Sequence, residues 1–396
     1  MGLRPTQGDE NKLQDCHSER ARLARESKNP YPLNLTLLQK GFPVALPTTP
    51  CRRSMIFERA KSKGALACAP RAILLSSSAM PRTTITLGLA IITVLAPAFC
   101  ACSRNNVNAS AAQPLSAALP DSRPLVSGER ALQYTKDVVA FGPRYVGSPG
   151  HAKVEAYLRS QLKGDNLMAD TFIAATPAGS FRMTNFIVRF PGTKPGIIVV
   201  AGHYDTLYGR KDFVGANDGG SSTGLLLELA RQLHGQKNDG FSIWLVWFDG
   251  EEAVRQWSAA DSLYGSRHLA GKWANDGTTI KIKAFLLLDM IGDANLNLER
   301  ESNSTPWLED VVYQAATRLG HQSYFFARTL PVEDDHLPLA RLGVPVADLI
   351  DYDYGPGNAY WHTPQDTLDK LSPKSLEIVG SVVMETIRLL NQTSQK

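Results

Sequence analysis

The sequence has no cysteine beyond residue 102: Cys16, Cys51, Cys68, Cys100 and Cys102 are the only five. That excludes a disulfide framework and thiolate metal ligands from the rest of the chain. Any metal bound there must be held by imidazole and carboxylate. A basic face is missing as well. Residues 1–79 carry 13 Lys and Arg against 6 Asp and Glu, and the remainder carries 29 against 32. The net charge of +4 therefore belongs to the N-terminal segment, and no basic stripe suited to nucleic acid runs through the rest. The apolar run from Ile85 to Phe99 is shorter than the ~20 residues a membrane-spanning helix needs. There is no internal repeat and no second-domain linker.

What stands around that run has its own logic. Residues 80–102 read MPRTTITLGLAIITVLAPAFCAC: a methionine, one arginine, a short apolar stretch and small residues around a cysteine. This is the pattern of a secretory signal peptide. Cys102, followed by Ser-Arg-Asn-Asn, resembles a lipoprotein acceptor cysteine. A signal peptide so far inside the chain implies that translation starts at Met80. Residues 1–79, aperiodic and rich in Arg, Ser and Pro, are then an extension that does not fold. Residues 103–124 read as a tether. The expected product is exported, periplasmic or extracellular, with any membrane contact made through a lipid on Cys102. A monomer is the default expectation.

From residue 125 to 396 the pattern is regular. GERALQYTKDVVAF, HAKVEAYLRSQLKG and TGLLLELARQLHG space their apolar residues as helices do. Continuous apolar runs at 196–201, 242–248, 284–288 and 344–350 alternate with helices. Buried parallel strands have this character. The expectation is one α/β domain, a three-layer α/β/α sandwich around a mixed, mostly parallel sheet.

Acids and a histidine collect just after those runs: His203 and Asp205, then Asp249, Glu251 and Glu252, then Asp289. Ligands of open α/β sheets bind outside the carboxyl ends of the strands. One such Asp is ordinarily a helix cap. Several on one rim are a site. With thiolates absent, His203, Asp218, Glu252, Asp289 and His362 are the zinc-ligand candidates. The adjacent Glu251 and Glu252 repel unless a cation or a proton separates them. One ligand and one general acid/base resolve that conflict.

These residues also carry a resemblance. HYDT at 203–206, GANDGG at 215–220, FDGEE at 248–252, LLLDMIG at 286–292 and WHTPQDT at 361–367 resemble the metal-site signatures of the zinc aminopeptidase-like M28 peptidases. PRYVGSPG at 143–150, DTF with TP at 170–177, WSAADSLYGSRHLA at 257–270 and EDDHLPLARLGVPV at 333–346 resemble glutaminyl cyclases, the single-zinc branch of that family. The resemblance runs from about residue 126 to the C-terminus. It implies zinc on Asp218, Glu252 and His362, and Glu251 as the general acid/base. Asp289 and Asp334 fall on the acidic network around that glutamate, and Trp257 and Trp361 on the walls of the substrate pocket. The implied reaction turns the N-terminal Gln of peptides or proteins into pyroglutamate with release of ammonia.

An M28 aminopeptidase would use the same residues with two metals. There Asp218 bridges, His203 and Asp289 complete the second site, and Glu251 activates water. The five candidate ligands are all present, so ligand identity leaves both readings open. An inactive binding domain is the third reading, and the retention of every ligand and of Glu251 speaks against it. Two departures stand out. Asp348 occupies a position where animal cyclases carry a histidine. Gly202 stands at one of the positions of their cysteine pair.

Overall fold

The computed structural model describes residues 126–393. The expectations for 1–79, 80–102 and 103–124, Cys102 included, lie outside the described residues. Among the described residues no helix is long and apolar enough to cross a membrane.

Helix α1 (Gly128–Val139) starts where Ser127 turns its hydroxyl back on the Arg130 N–H. Helix α2 (Pro149–Gln161) starts the same way, on Ser148, with proline supplying the preset φ of the first turn. Three strands follow, β1 (Leu167–Thr176), β2 (Gly179–Phe190) and β3 (Lys194–His203), then helix α3 (Gly220–Leu233). Next come β4 (Phe241–Phe248), α4 (Tyr264–Asn275) and β5 (Ile282–Asp289). The chain closes with β6 (Leu298–Glu301), α5 (Pro306–Arg318), β7 (Phe325–Leu330), the one-turn α6 (Leu337–Ala340), β8 (Val346–Ile350) and α7 (Pro373–Thr393).

Six strands form one sheet in the order β1-β2-β4-β3-β5-β8, and β6 and β7 form a separate pair. The β3, β4, β5 and β8 pairings are parallel, and the β1–β2–β4 edge is antiparallel. Side chains alternate across the strands, so the apolar runs feed two cores. Ile198 and Val200 of β3 join Leu225 of α3 and Val379 of α7 on one face. Val199 and Ala201 join Leu269 and Trp273 of α4 on the other. This is the expected three-layer α/β/α sandwich on a mixed sheet.

The layering positions the site. Helix α3 leaves β3 on one face of the sheet, while α4 leaves β4 on the other. Such a topological switch opens a crevice at the carboxyl end of the strands. In register there, His203 ends β3 beside Phe248, and Asp289 ends β5 beside Ile350. Gly202 sits where β3 presses on α3. A Cβ at that position would stand 2.7 Å from the Ser222 Cβ, which accounts for a glycine rather than a cysteine there.

Candidate active site

Three side chains from three loops converge first. Asp218 lies at the start of α3, Glu252 four residues beyond β4, and His362 in the loop before α7. His362 Nε2 is 3.2 Å from Asp218 Oδ2 and 3.3 Å from Glu252 Oε1. One ring nitrogen cannot donate to both carboxylates. Asp218 Oδ2 and Glu252 Oε1 are buried and accept no aligned hydrogen bond. The donor atoms of all three residues lie within 4.8 Å of one another. Two unserved carboxylate oxygens and an imidazole around one point fit a divalent cation.

A second set shares Asp218. His203 Nε2 is 3.2 Å from Asp218 Oδ1 and 3.2 Å from Asp289 Oδ1. Asp218 thus presents one oxygen to each group, as a bridging ligand would. Burial pushes the Asp218 pKa up, but the imidazoles of His203 and His362 outweigh it and hold the carboxylate below its usual range. Burial opposes charge on His362, yet Glu252 and Asp218 raise it to about 10. The site demands positive charge, and an imidazolium answers that demand when no metal does.

Glu251 is buried beside its neighbour. Burial first, and then the Glu252 carboxylate, push its pKa well above the ordinary value. Asp334 is raised by burial, by Asp289 and by Asp335, and its charge in turn acts on Glu251. Asp334 and Asp335 thus act on Glu251 through charge, and Asp289 acts on Asp334. Asp348 belongs to the same buried group, raised by burial and then by Asp334 and Glu301. It does not stand alone: His336 Nδ1 lies 3.4 Å from Asp348, and His336 Nε2 3.1 Å from Glu301.

Of the two tryptophans, Trp361 touches the centre directly. Trp361 stacks on the His362 ring with centroids 4.0 Å apart and packs against Tyr352 at 5.1 Å. The Trp257 indole N–H donates to Glu333 Oε2 at 3.0 Å.

Several residues hold the site in place; Asp205 was read from the sequence as part of the rim, but not as a support, and Asp366 and Arg144 were not read as site residues. Asp205 accepts the backbone N–H of Glu251 at 3.0 Å and of Glu252 at 3.2 Å, fixing the paired glutamates. Asp366 accepts the N–H of Asn217 at 2.8 Å and of Asp218 at 3.1 Å, and the Tyr354 hydroxyl at 2.7 Å. Arg144 is fully buried and donates to the carbonyls of Tyr204, Val214 and Gly215, clamping the loops that carry His203 and Asp218. The quoted stretches contained all three, but nothing local marks them as supports.

Backbone strain gathers at the same rim. Of the non-glycine residues with positive φ, His362 is itself a donor, Met290 follows Asp289, and Leu263 gives its N–H to the Glu251 carbonyl. Such conformations persist only where the surroundings impose them, and they cluster at functional sites.

Arg144 gives a stability prediction. Arg144→Ala strips three buried carbonyls of their donor and removes the guanidinium charge that acts on Asp366, Asp218 and Asp205. Urea unfolding should report a loss of about 3–5 kcal/mol. A loss below about 1 kcal/mol would show that the clamp is ornamental.

The model of peptidase family M28 matches residues 185–387. The chain belongs to that family, within its glutaminyl cyclase branch. The glutaminyl-peptide cyclotransferase of Boiga irregularis is 34% identical over 281 residues, covering 61% of this chain and 75% of the relative. The solved structure of an Acidobacteriales bacterium glutaminyl cyclase is 52% identical with a TM-score of 0.67, covering 71% of this chain and 100% of that one. The glutaminyl cyclase of Porphyromonas gingivalis is 30% identical with a TM-score of 0.61, covering 67% and 99%.

Proposed function

We propose that this chain is a zinc-dependent glutaminyl-peptide cyclotransferase, acting on the N-terminal Gln of peptides or proteins. The observation that carries the reading is the likeness to the Acidobacteriales cyclase over that protein's full length. The site supplies what the reaction needs. The α-amine attacks the side-chain amide carbon, a C–N bond forms, and ammonia leaves as the old C–N bond breaks. Glu251 takes the proton from the attacking nitrogen and returns it to the departing one. Its raised proton affinity suits a group that must both accept and donate. Asp334 favours that proton by charge, and Asp289 acts on Asp334 in turn. Zinc, when held by Asp218, Glu252 and His362, supplies Lewis acidity toward the amide oxygen.

Ring closure is intramolecular, so the chain's remaining work is to fold the substrate and exclude water. Trp257 and Trp361 serve as the walls for it. The signal-like segment at 80–102 suggests work outside the cytoplasm on exported proteins or peptides. Product identity tests the reading. A Gln-peptide must lose ammonia and gain the lactam, and release of free Gln instead would overturn it.

One observation supports a second reading. His203, Asp218 and Asp289 offer donors for a second metal within 4.8 Å of one another. A two-metal aminopeptidase would use them, with Glu251 activating water.

A further inference from the structure

The loop that carries Trp257 is fixed in an uneven way. Its backbone is cinched around one carboxylate. Asp261 accepts the N–H groups of Val254, Arg255 and Gln256, each at 2.9 Å, and the Tyr264 hydroxyl at 2.7 Å. Two further bonds tie the far end of the loop to the catalytic turn: Leu263 N–H to the Glu251 carbonyl and Tyr264 N–H to the Gly250 carbonyl, each at 2.8 Å. None of these bonds restrains the indole. The indole's hydrogen bond goes elsewhere, across 76 residues of sequence, to Glu333 Oε2 at 3.0 Å.

Glu333 directly precedes Asp334, the buried acid whose charge acts on Glu251. Trp257 lies five residues after Glu252. One hydrogen bond therefore joins the loop after β4 to the loop after β7, each at the point where it leaves the catalytic centre. The acceptor is a carboxylate, which strengthens the bond. Glu333 is exposed and Trp257 half-buried. A contact so wet contributes little to folding stability, so its loss leaves a folded enzyme.

We propose that Glu333 is a positioning residue for substrate binding: its carboxylate fixes the Trp257 indole in the orientation that walls the pocket. The inference rests on the cyclotransferase reading and names a determinant of substrate affinity within that site. A wall that meets substrate and transition state alike changes KM and not kcat. Fixing it in advance spares the substrate the cost of ordering it.

The experiment is steady-state kinetics on a Gln-peptide with wild type, Glu333→Ala, Glu333→Gln and Trp257→Phe. Glu333→Ala should raise KM on the order of fivefold, the worth of one hydrogen bond, with kcat within about twofold. Glu333→Gln should keep the wild-type KM, because an amide oxygen also accepts the indole N–H. On the Trp257→Phe background, Glu333→Ala should add nothing. An unchanged KM in Glu333→Ala, an equal loss in kcat, or additive effects in the double variant would overturn the proposal.

Acrylamide quenching reads the tie without substrate. Glu333→Ala should expose an indole that Trp257→Phe removes, and equal quenching in wild type and Glu333→Ala would contradict the tie. If the wild type fails to cyclise Gln-peptides, the cyclotransferase reading falls, and quenching still decides whether Glu333 holds the indole.

Discussion

Glu251→Gln should bind its metal, keep its fold and lose roughly 10²–10⁴ of kcat, the share that general acid–base catalysis ordinarily supplies. The expectation follows from two structural facts. Glu251 is fixed through its backbone by Asp205, so the substitution leaves its placement intact. Its carboxyl is buried directly beside the ligand Glu252 in the chain and is not itself assigned to the metal. Glutamine retains the shape and cannot carry a proton between nitrogens. Metal content measured alongside kcat separates the two roles of the glutamate pair: Glu252→Gln should lose metal, whereas Glu251→Gln should not. A Glu251→Gln enzyme within tenfold of wild type would remove the residue from the chemistry.

Stripping the metal should have a comparable effect by a different route. Dialysis against a chelator should lower cyclisation by at least about 10²-fold, and zinc should restore it. Asp218 and Glu252 are buried carboxylates with oxygens that accept no aligned hydrogen bond. Without a cation they face the His362 imidazole, which Glu252 and Asp218 hold protonated, while Asp218 also faces His203. Metal binding must release that proton. Stoichiometry then discriminates between the two donor sets. About one zinc per chain at full activity is expected for the Asp218, Glu252 and His362 centre. Two per chain at full activity would bring His203 and Asp289 into use as ligands and favour the hydrolytic reading.

How far the sequence reveals this arrangement depends on the kind of contact. The runs that become β3, β4, β5 and β8 are continuous and apolar because both faces of those strands are covered, and that burial is legible in composition alone. The β1–β2 hairpin was not legible in the same way. β1 is an edge strand whose side chains are mostly exposed or half-buried, so it carries no apolar run. His203, Glu252 and Asp289 were legible because polar residues just after buried strands are conspicuous, and Asp218 and His362 through the GANDGG and WHTPQDT stretches.

Their supports were not. Asp366 holds the backbone of Asp218 from 148 residues away, and Arg144 reaches Tyr204, Val214 and Gly215 from 60 to 71 residues away. Nothing in the local spacing of either residue announces such a bond. Asp348 is the instructive case. As a sequence position it is a departure from a histidine. In the fold it is a buried acid that faces His336, with Glu301 on the other side of that ring.

One measurement bears most directly on the claim that the centre closes a ring rather than hydrolyses a bond. The purified, zinc-loaded chain is given a Gln-peptide and a Leu-amide in parallel, and the products are identified. Ammonia and a pyroglutamyl peptide from the first, with no free leucine from the second, is the predicted result. Free leucine from the amide, with the Gln-peptide cut rather than cyclised, would contradict it.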